Sequence, residues 1–354
     1  MRALASEIAA HMWQWTPETV YLGGGTPSLM EPEDLRKLLD AVPGRPWQEA
    51  TLEAAPGTLN AARIEAWHKA GINRVSLGVQ SFAARELART GRKHTAEIVA
   101  KEVGELRAAN LTNINIDLIA GLAGQTGESW QESLEWIERL APPHVSVYML
   151  EVDDDSRLGR ELLAGGARYG AQEVPSEEAI VEFYETACEC LARLGLEQYE
   201  ISNFARPGCE SRHNLKYWRL EPYAGFGADA HSFDGSTRSR NTESLADYVR
   251  AWKAGESAVA EVSPAQVAEE RFYVGLRLRE GIRLSAAEWR RFGGPIHRFL
   301  QDCLLSLEDG TLRLTRRGVL FSNEVFAGFL GARDHDGACS DSSHWLSRGA
   351  MRGP

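Results

Sequence analysis

The chain opens with apolar residues at helical spacing: Leu4, Ile8, Met12 and Trp15 share one face of a helix predicted over residues 2–15. A short apolar run at 20–22 follows, and glycines break it in "TVYLGGGTPSLM". Leu35, Leu38, Leu39 and Val42 then mark a second helix, which Pro43 and Gly44 stop. From here strand-like and helix-like stretches alternate. "ATLEAAPGT" predicts a strand ending near Glu53, residues 61–70 a helix, and "RVSLGVQSF" a strand. Residues 97–109 read as a long helix, "NINIDLIAGL" as a strand, 129–140 as a helix and "HVSVYMLE" as a strand. A helix over 177–194 places Ile180, Tyr184, Ala187, Leu191 and Leu194 on one face, and "QYEISNFA" closes the series.

Such alternation predicts βα units and a parallel sheet, covered by its crossover helices and able to curl into a full or partial (β/α) barrel. Polar residues recur at or near the C-terminal ends of the strands: Gly23 to Thr26, Glu53, Gln80, Asp117 and Glu151. That rim is where barrel chemistry sits. The character changes near residue 241. Helices are expected from Ser244 and Ser263, a capping box at Ser285–Glu288, a turn at "EDGT", a short strand "LRLT" and a last helix to Leu330. The pattern is a small, mostly helical, winged-helix-like module. Residues 285–330 hold six arginines against five acids and no basic stripe, so a packing role beside the barrel is favoured over DNA binding. The expected division is 1–240, 241–330 and a disordered tail over 331–354.

Charge and cysteines narrow the classes. A net charge of −11 speaks against general nucleic-acid or anionic-membrane binding. No apolar run is long enough to span a bilayer, and the first residues lack the features of a signal peptide. The five cysteines, Cys188, Cys190, Cys209, Cys303 and Cys339, are odd in number and scattered, which favours reduced thiols in a cytoplasm.

The motifs "GGGTPS", "LEAAPGT", "RVSLGVQSF", "GRKHT", "NIDLIAGLAGQT", "YEISNFARPG", "HNLKYW" and "GADAHSF" stand here in one order. Together they resemble the anaerobic coproporphyrinogen III oxidase family of radical S-adenosylmethionine (SAM) proteins, and within it the heme-chaperone branch. The likeness covers nearly all of residues 1–330. It implies that Gly24, Gly25, Thr26, Glu53, Gln80, Arg92 and Asp117 match SAM-contacting positions. Their chemistry suits such a ligand, since glycines let a backbone approach closely, carboxylates accept from ribose hydroxyls and an ammonium, and arginine pairs with a carboxylate. The resemblance also ties "HNLKYW" to heme, with His213 as the iron ligand and Asn214, Tyr217 and Trp218 beside the porphyrin. His231 in "GADAHSF" competes as ligand, and Asp229 stands where the family often shows glycine. Heme and an acceptor hemoprotein, such as a respiratory cytochrome, are the implied partners. Pairing with a second copy stays open.

One departure matters. The family carries CxxxCxxC upstream of the glycine turn, where three thiolates hold a [4Fe–4S] cluster, and this chain has no cysteine before Cys188. Cys188 and Cys190 read as buried helix thiols, Cys209 as a free loop thiol, Cys303 as core and Cys339 as tail. The first barrel strand and its loop are also missing, so an N-terminally incomplete chain is expected rather than a clusterless descendant. Three functions follow from the resemblance: a heme chaperone first, an oxygen-independent coproporphyrinogen III oxidase second, and a scaffold binding neither SAM nor heme third.

Overall fold

The computed structural model describes residues 1–151, 157–166 and 168–331. The expected disordered tail, apart from its first residue, and Cys339 lie outside the described residues. In chain order the elements begin α1 (Arg2–Ala10), β1 (Thr19–Leu22), α2 (Pro32–Asp40), β2 (Glu49–Ala54), α3 (Ala61–Lys69), β3 (Arg74–Gln80), α4 (Ala84–Arg89) and α5 (Ala96–Ala108). They continue with β4 (Asn113–Ala120), α6 (Gly127–Leu140), β5 (His144–Met149), α7 (Arg157–Leu163), α8 (Glu177–Arg193), β6 (Glu197–Gln198), β7 (Asn203–Ala205) and α9 (Arg212–Trp218). The last are β8 (His231–Phe233), β9 (Thr237–Asn241), α10 (Leu245–Ala254), β10 (Val259–Pro264), α11 (Val267–Gly275), β11 (Ile282–Arg283), α12 (Ala286–Gln301), β12 (Leu305–Glu308), β13 (Thr311–Leu314), α13 (Arg316–Leu320) and α14 (Ser322–Ala327).

Two compact units emerge, Pro17–Ser211 and a second that joins Met1–Thr16 to the chain from Arg212 onward. The compact units divide at Arg212, and α1 joins the second because it lies against α10.

The Pro17–Ser211 unit holds a seven-stranded sheet in the order β1-β2-β3-β4-β5-β7-β6. Neighbours from β1 to β5 run parallel. This is the expected partial (β/α) barrel, with a helix between each parallel pair. The series ends differently from the sequence reading. "QYEISNFA" folds into two short strands, and β7 runs antiparallel to both β5 and β6. Helices α2, α3, α5, α6 and α8 bury Leu35, Leu39, Ile64, Trp67, Val99, Leu106, Trp130, Ile137, Ala187 and Leu191. Side chains of Asn60, Thr95, Thr126 and Ser176 cap the starts of α3, α5, α6 and α8.

The two faces of the sheet differ sharply. Ala50, Leu52, Val75, Leu77, Ile114, Ile116, Val145 and Val147 point one way and are buried. The alternate positions are Thr51 and Glu53 on β2, Arg74 and Ser76 on β3, Asn113, Asn115 and Asp117 on β4, and His144, Ser146 and Tyr148 on β5. Registers align them in rows, with Glu53 opposite Ser76 and Asp117 opposite Ser146. A side-chain period of two makes one face apolar for the helices and the other polar throughout.

In the second unit, helix α1 ends at Ala10 rather than Trp15, and His11 turns extended with ψ 126. His11 and Trp13 instead meet Phe226 edge-on or tilted, at centroid distances of 5.2 and 5.6 Å. The helix expected from Ser263 starts at Val267, because Pro264 disfavours helix at the residue before it and Ser263 belongs to β10. Strands β8, β9 and β10 form an antiparallel sheet that periodicity did not predict. The winged-helix-like part has three strands, in the order β11-β13-β12, and Leu312, Arg313 and Leu314 of "LRLT" lie in β13 at its centre. Its core is a cluster of Phe272, Phe292, Phe299 and Phe329, with Phe272 lying 4.4 Å from Phe292 and 4.5 Å from Phe329. Ser285 and Glu288 form the expected capping box of α12.

Candidate functional site

The glycine turn leaves β1 at Leu22, with Gly24 at φ 76 and Gly25 at φ 69, and Gly23 to Thr26 are exposed. These positive φ values favour glycine. Gly23 is needed for a different reason. A Cβ there would stand 2.7 Å from the Tyr21 ring and 3.1 Å from Glu53 Oε1. That space holds a pair: the Tyr21 hydroxyl donates to Glu53 Oε1 at 2.7 Å, and the Gly24 N–H donates to Oε2 at 3.3 Å. Glu53 therefore staples the turn to β2. Below the turn, buried Ser28 accepts from the Ala55 N–H and the Thr58 hydroxyl.

At the end of β3, Gln80 sits at φ 69, and its buried Oε1 has no hydrogen-bond partner. A backbone held in this region without glycine is strained and often functional. The "GRKHT" segment returns over the same strand. Arg92 Nη1 donates to the Gly78 carbonyl at 2.9 Å, and the His94 Nε2 lies 3.1 Å from the Val79 carbonyl. A Cβ on Gly78 would be 3.2 Å from Gln80 Nε2 and 4.0 Å from Arg92 Nη1, so these side chains converge above it. Asp117 lies mid-strand on β4, inward of the rim where sequence placed it. It accepts from Asn115 Nδ2 at 2.7 Å and the Ser76 hydroxyl at 3.2 Å.

Burial raises the Asp117 carboxyl above its ordinary value, against hydrogen bonds from Ser146 and Asn115 and the charge of Arg74. Burial likewise raises Glu53, with Asp117 adding to the shift and the Tyr21 and Gly24 hydrogen bonds opposing it. Arg92 is lowered by burial, and Asp117 opposes that shift. Glu53, Gln80, Arg92 and Asp117 thus share one polar region beside the open glycine turn. Glu151 is exposed just beyond β5. The region offers two acceptors, a guanidinium, an orphaned amide oxygen and an uncovered backbone turn. That donor and acceptor set fits a ligand with hydroxyls, an ammonium and a carboxylate, as SAM has. When bound, SAM would supply a reactive sulfonium there.

The cluster does not fit as well. Among the described residues no group of three or more His, Cys, Asp or Glu can hold a metal ion. Cys190 is buried as expected, Cys188 and Cys209 are half-exposed, and none of the described cysteines forms a disulfide. Cys303, expected in the core, is exposed on a turn with φ 55.

In the second unit, "HNLKYW" forms α9. Its spacing splits the expected heme residues into two pairs, since residues four apart share a face. His213 Nε2 lies 2.8 Å from the Tyr217 hydroxyl, with the rings edge-on at 4.9 Å. Tyr217 in turn meets Tyr223 at 4.7 Å. On the neighbouring face are Trp218 and the buried Asn214, and the Arg277 guanidinium lies 4.4 Å over the Trp218 ring. His231 stands on β8 opposite Arg240 of β9, and burial lowers its pKa.

Sequence reasoning missed Tyr21, Ser76, Asn115, Ser146 and Tyr148 on the polar face. The signal was available in the strict alternation of "NINID" and "HVSVY".

Two family models match the chain: the radical SAM superfamily over residues 4–137 and the HemN C-terminal domain over 262–321. In structure, the chain is similar to the coproporphyrinogen III oxidase HemN of Escherichia coli. That match has a TM-score of 0.78 and 20% identity, and covers 93% of this chain and 82% of the other. The class is therefore a radical SAM fold with a HemN-type C-terminal part. Among curated relatives, the heme chaperone HemW of Bacillus subtilis is 34% identical, covering 89% of this chain and 86% of its own. HemW of Synechocystis is 35% identical, with 95% and 88% covered. The mitochondrial radical S-adenosyl methionine domain-containing protein 1 of zebrafish is 33% identical, with 88% and 75% covered. The chain belongs to the HemW family of heme chaperones.

Proposed function

We propose that this protein binds heme in the unit that carries α9 and passes it to an acceptor hemoprotein, with SAM held at the sheet rim by Gly24, Gly25, Thr26, Glu53, Gln80, Arg92 and Asp117. The observation that supports it most is the likeness to HemW chaperones over 89% of the chain, combined with "HNLKYW" folded as one short helix. Asn214, Tyr217 and Trp218 are the proposed porphyrin contacts, and His213 and His231 the two candidate iron ligands. Cysteines that form no disulfide among the described residues support action in the cytoplasm.

The test is a hemin titration of the purified protein, followed by mixing with an apo-hemoprotein. A saturable Soret band that moves to the acceptor is expected. A protein that gives no Soret band, or never releases heme, would overturn the reading.

The SAM part has its own test. Tyr21→Phe keeps the ring but removes the hydroxyl that holds Glu53. SAM affinity, measured by calorimetry, is expected to fall by roughly 3- to 10-fold, in line with about 0.5–1.5 kcal/mol for one hydrogen bond. An unchanged affinity would remove Tyr21 from the site.

A further inference from the structure

Both candidate histidines lie in one unit, but their surroundings differ. The His213 Nε2 is engaged by the Tyr217 hydroxyl at 2.8 Å, and Tyr217 is packed in turn on Tyr223. For Nε2 of His213 to meet iron, this contact must break and the tyrosine must find another partner. His231 carries no such restraint: no hydrogen bond of its ring is found among the described residues, and the side chain is only half-buried.

His231 also stands on a fixed backbone. β8 pairs with β9 along its length, and Phe233 bridges to Tyr223 on the other side. Gly225 closes against the same strand, donating its N–H to the Ser232 hydroxyl at 2.9 Å. A Cβ on Gly225 would lie 2.1 Å from the His231 carbonyl oxygen, so this approach requires glycine.

The neighbours of His231 suit an iron tetrapyrrole that carries carboxylates. Register places His231 opposite Arg240 and Phe233 opposite Arg238, all four on one sheet face. Arg238 is already taken by Glu270. Arg240 is not held closely: its ion pairs to Asp229 and Glu261 are 3.6 and 3.5 Å long, and its buried Nε has no partner. A carboxylate is the group that would satisfy it.

We infer that His231 is the axial ligand of the bound heme iron and that Arg240, across the strand pair, takes a heme carboxylate, while His213 acts through Tyr217 to shape the pocket. The inference rests on the heme-binding reading above, and the following experiment separates the two. Ferric heme would be added to the parent protein, His231→Ala, His231→Gln, His213→Ala and Arg240→Ala, with optical and electron paramagnetic resonance spectra recorded with and without free imidazole. Circular dichroism would check that each variant folds.

The His231 variants are expected to lose the histidine-ligated spectrum and at least ~10-fold in affinity, and imidazole should restore the spectrum in His231→Ala. His213→Ala should keep that spectrum, and Arg240→Ala should keep it with a severalfold weaker affinity. If His213→Ala alone loses the signature, or is the only variant that imidazole rescues, the assignment is overturned. If both histidine variants lose it, rescue of His231→Ala alone still supports the assignment. Rescue of both, or of neither, overturns it. A parent protein without a Soret band would overturn the heme reading itself, and the assignment with it.

Discussion

Glu7→Ala is expected to destabilise the unit formed by residues 1–16 and the chain from Arg212 onward by about 3–5 kcal/mol. Glu7 is 8% exposed and accepts from three donors far away in sequence. Asn241 Nδ2 donates to Oε1 at 2.6 Å, the Gly227 N–H donates to Oε2 at 2.8 Å, and the Tyr248 hydroxyl donates to the same oxygen. Truncation leaves the Gly227 N–H and the Tyr248 hydroxyl without this acceptor, and Asn241 Nδ2 with the Gly227 carbonyl at 2.8 Å alone. An unsatisfied buried donor costs about 1–3 kcal/mol, so two orphaned donors and one weakened one account for the expected loss. Thermal unfolding should show the transition of this unit lowered by about 10 °C or more. Glu7→Gln should lie between, since its amide offers one acceptor oxygen and turns a donor toward a donor. An unchanged midpoint for Glu7→Ala would mean that the network carries no net stability. The same network holds Gly227 and Asn241, which flank the strand that carries His231, so heme affinity should fall along with stability.

Glu7 also shows what sequence alone can and cannot convey. The spacing of Leu4 and Ile8 is enough to predict α1, because helical periodicity is a local property. Nothing local says that Glu7 meets residues 227, 241 and 248, so sequence alone places the helix with the barrel. β9 was illegible for a related reason. Its sequence "TRSRN" has no apolar alternation, and its pairing with β8 and β10 is a tertiary event that overrides propensity. The polar face of the sheet is the opposite case. "RVSLGVQ", "NINID" and "HVSVY" alternate without a break, and the alternation alone places Arg74, Ser76, Asn115, His144 and Ser146 on the face of Glu53 and Asp117. In this layer the fully buried His144 lies 2.7 Å from Asn115 Oδ1 and 2.8 Å from the Tyr199 hydroxyl, and burial depresses its pKa strongly. The left-handed backbone of the glycine turn was legible from Gly24 and Gly25. The role of Gly23 was not, because it depends on the Tyr21–Glu53 pair in three dimensions. For α9, an i, i+4 reading of "HNLKYW" would have paired His213 with Tyr217 beforehand.

SAM affinity and stability should respond to pH in opposite directions, and Asp117→Asn should separate them. Folding raises the carboxyls of both Asp117 and Glu53, in each case mainly through burial. The folded unit therefore holds these protons more tightly than the unfolded chain does. Stability from this pair is greatest at acid pH and falls as pH rises from the ordinary carboxylate value through the raised one. Ligand binding has the other sign. Ribose hydroxyls and an ammonium need ionised acceptors, so SAM affinity should fall as pH drops through the raised values. The charged groups around Asp117 make the same point: Arg74 favours its ionised form, and the net shift is nevertheless upward. Asp117→Asn removes one titration and the cost of burying its charge. Above the raised value, the variant should be at least as stable as the parent in urea, with a flatter pH profile of stability. It should bind SAM about 10-fold or more weakly, since a hydrogen bond to a charged group is worth about 1.5–3 kcal/mol. Glu53→Gln should weaken SAM binding in the same way. It should also loosen the glycine turn, because the Tyr21 hydroxyl and the Gly24 N–H both donate to this carboxylate. Calorimetric titration with SAM at a series of pH values from the ordinary carboxylate range upward, beside urea unfolding at the same values, measures both effects. A SAM affinity that ignores pH and survives both substitutions would remove this polar face from ligand binding and leave it a structural layer of the barrel.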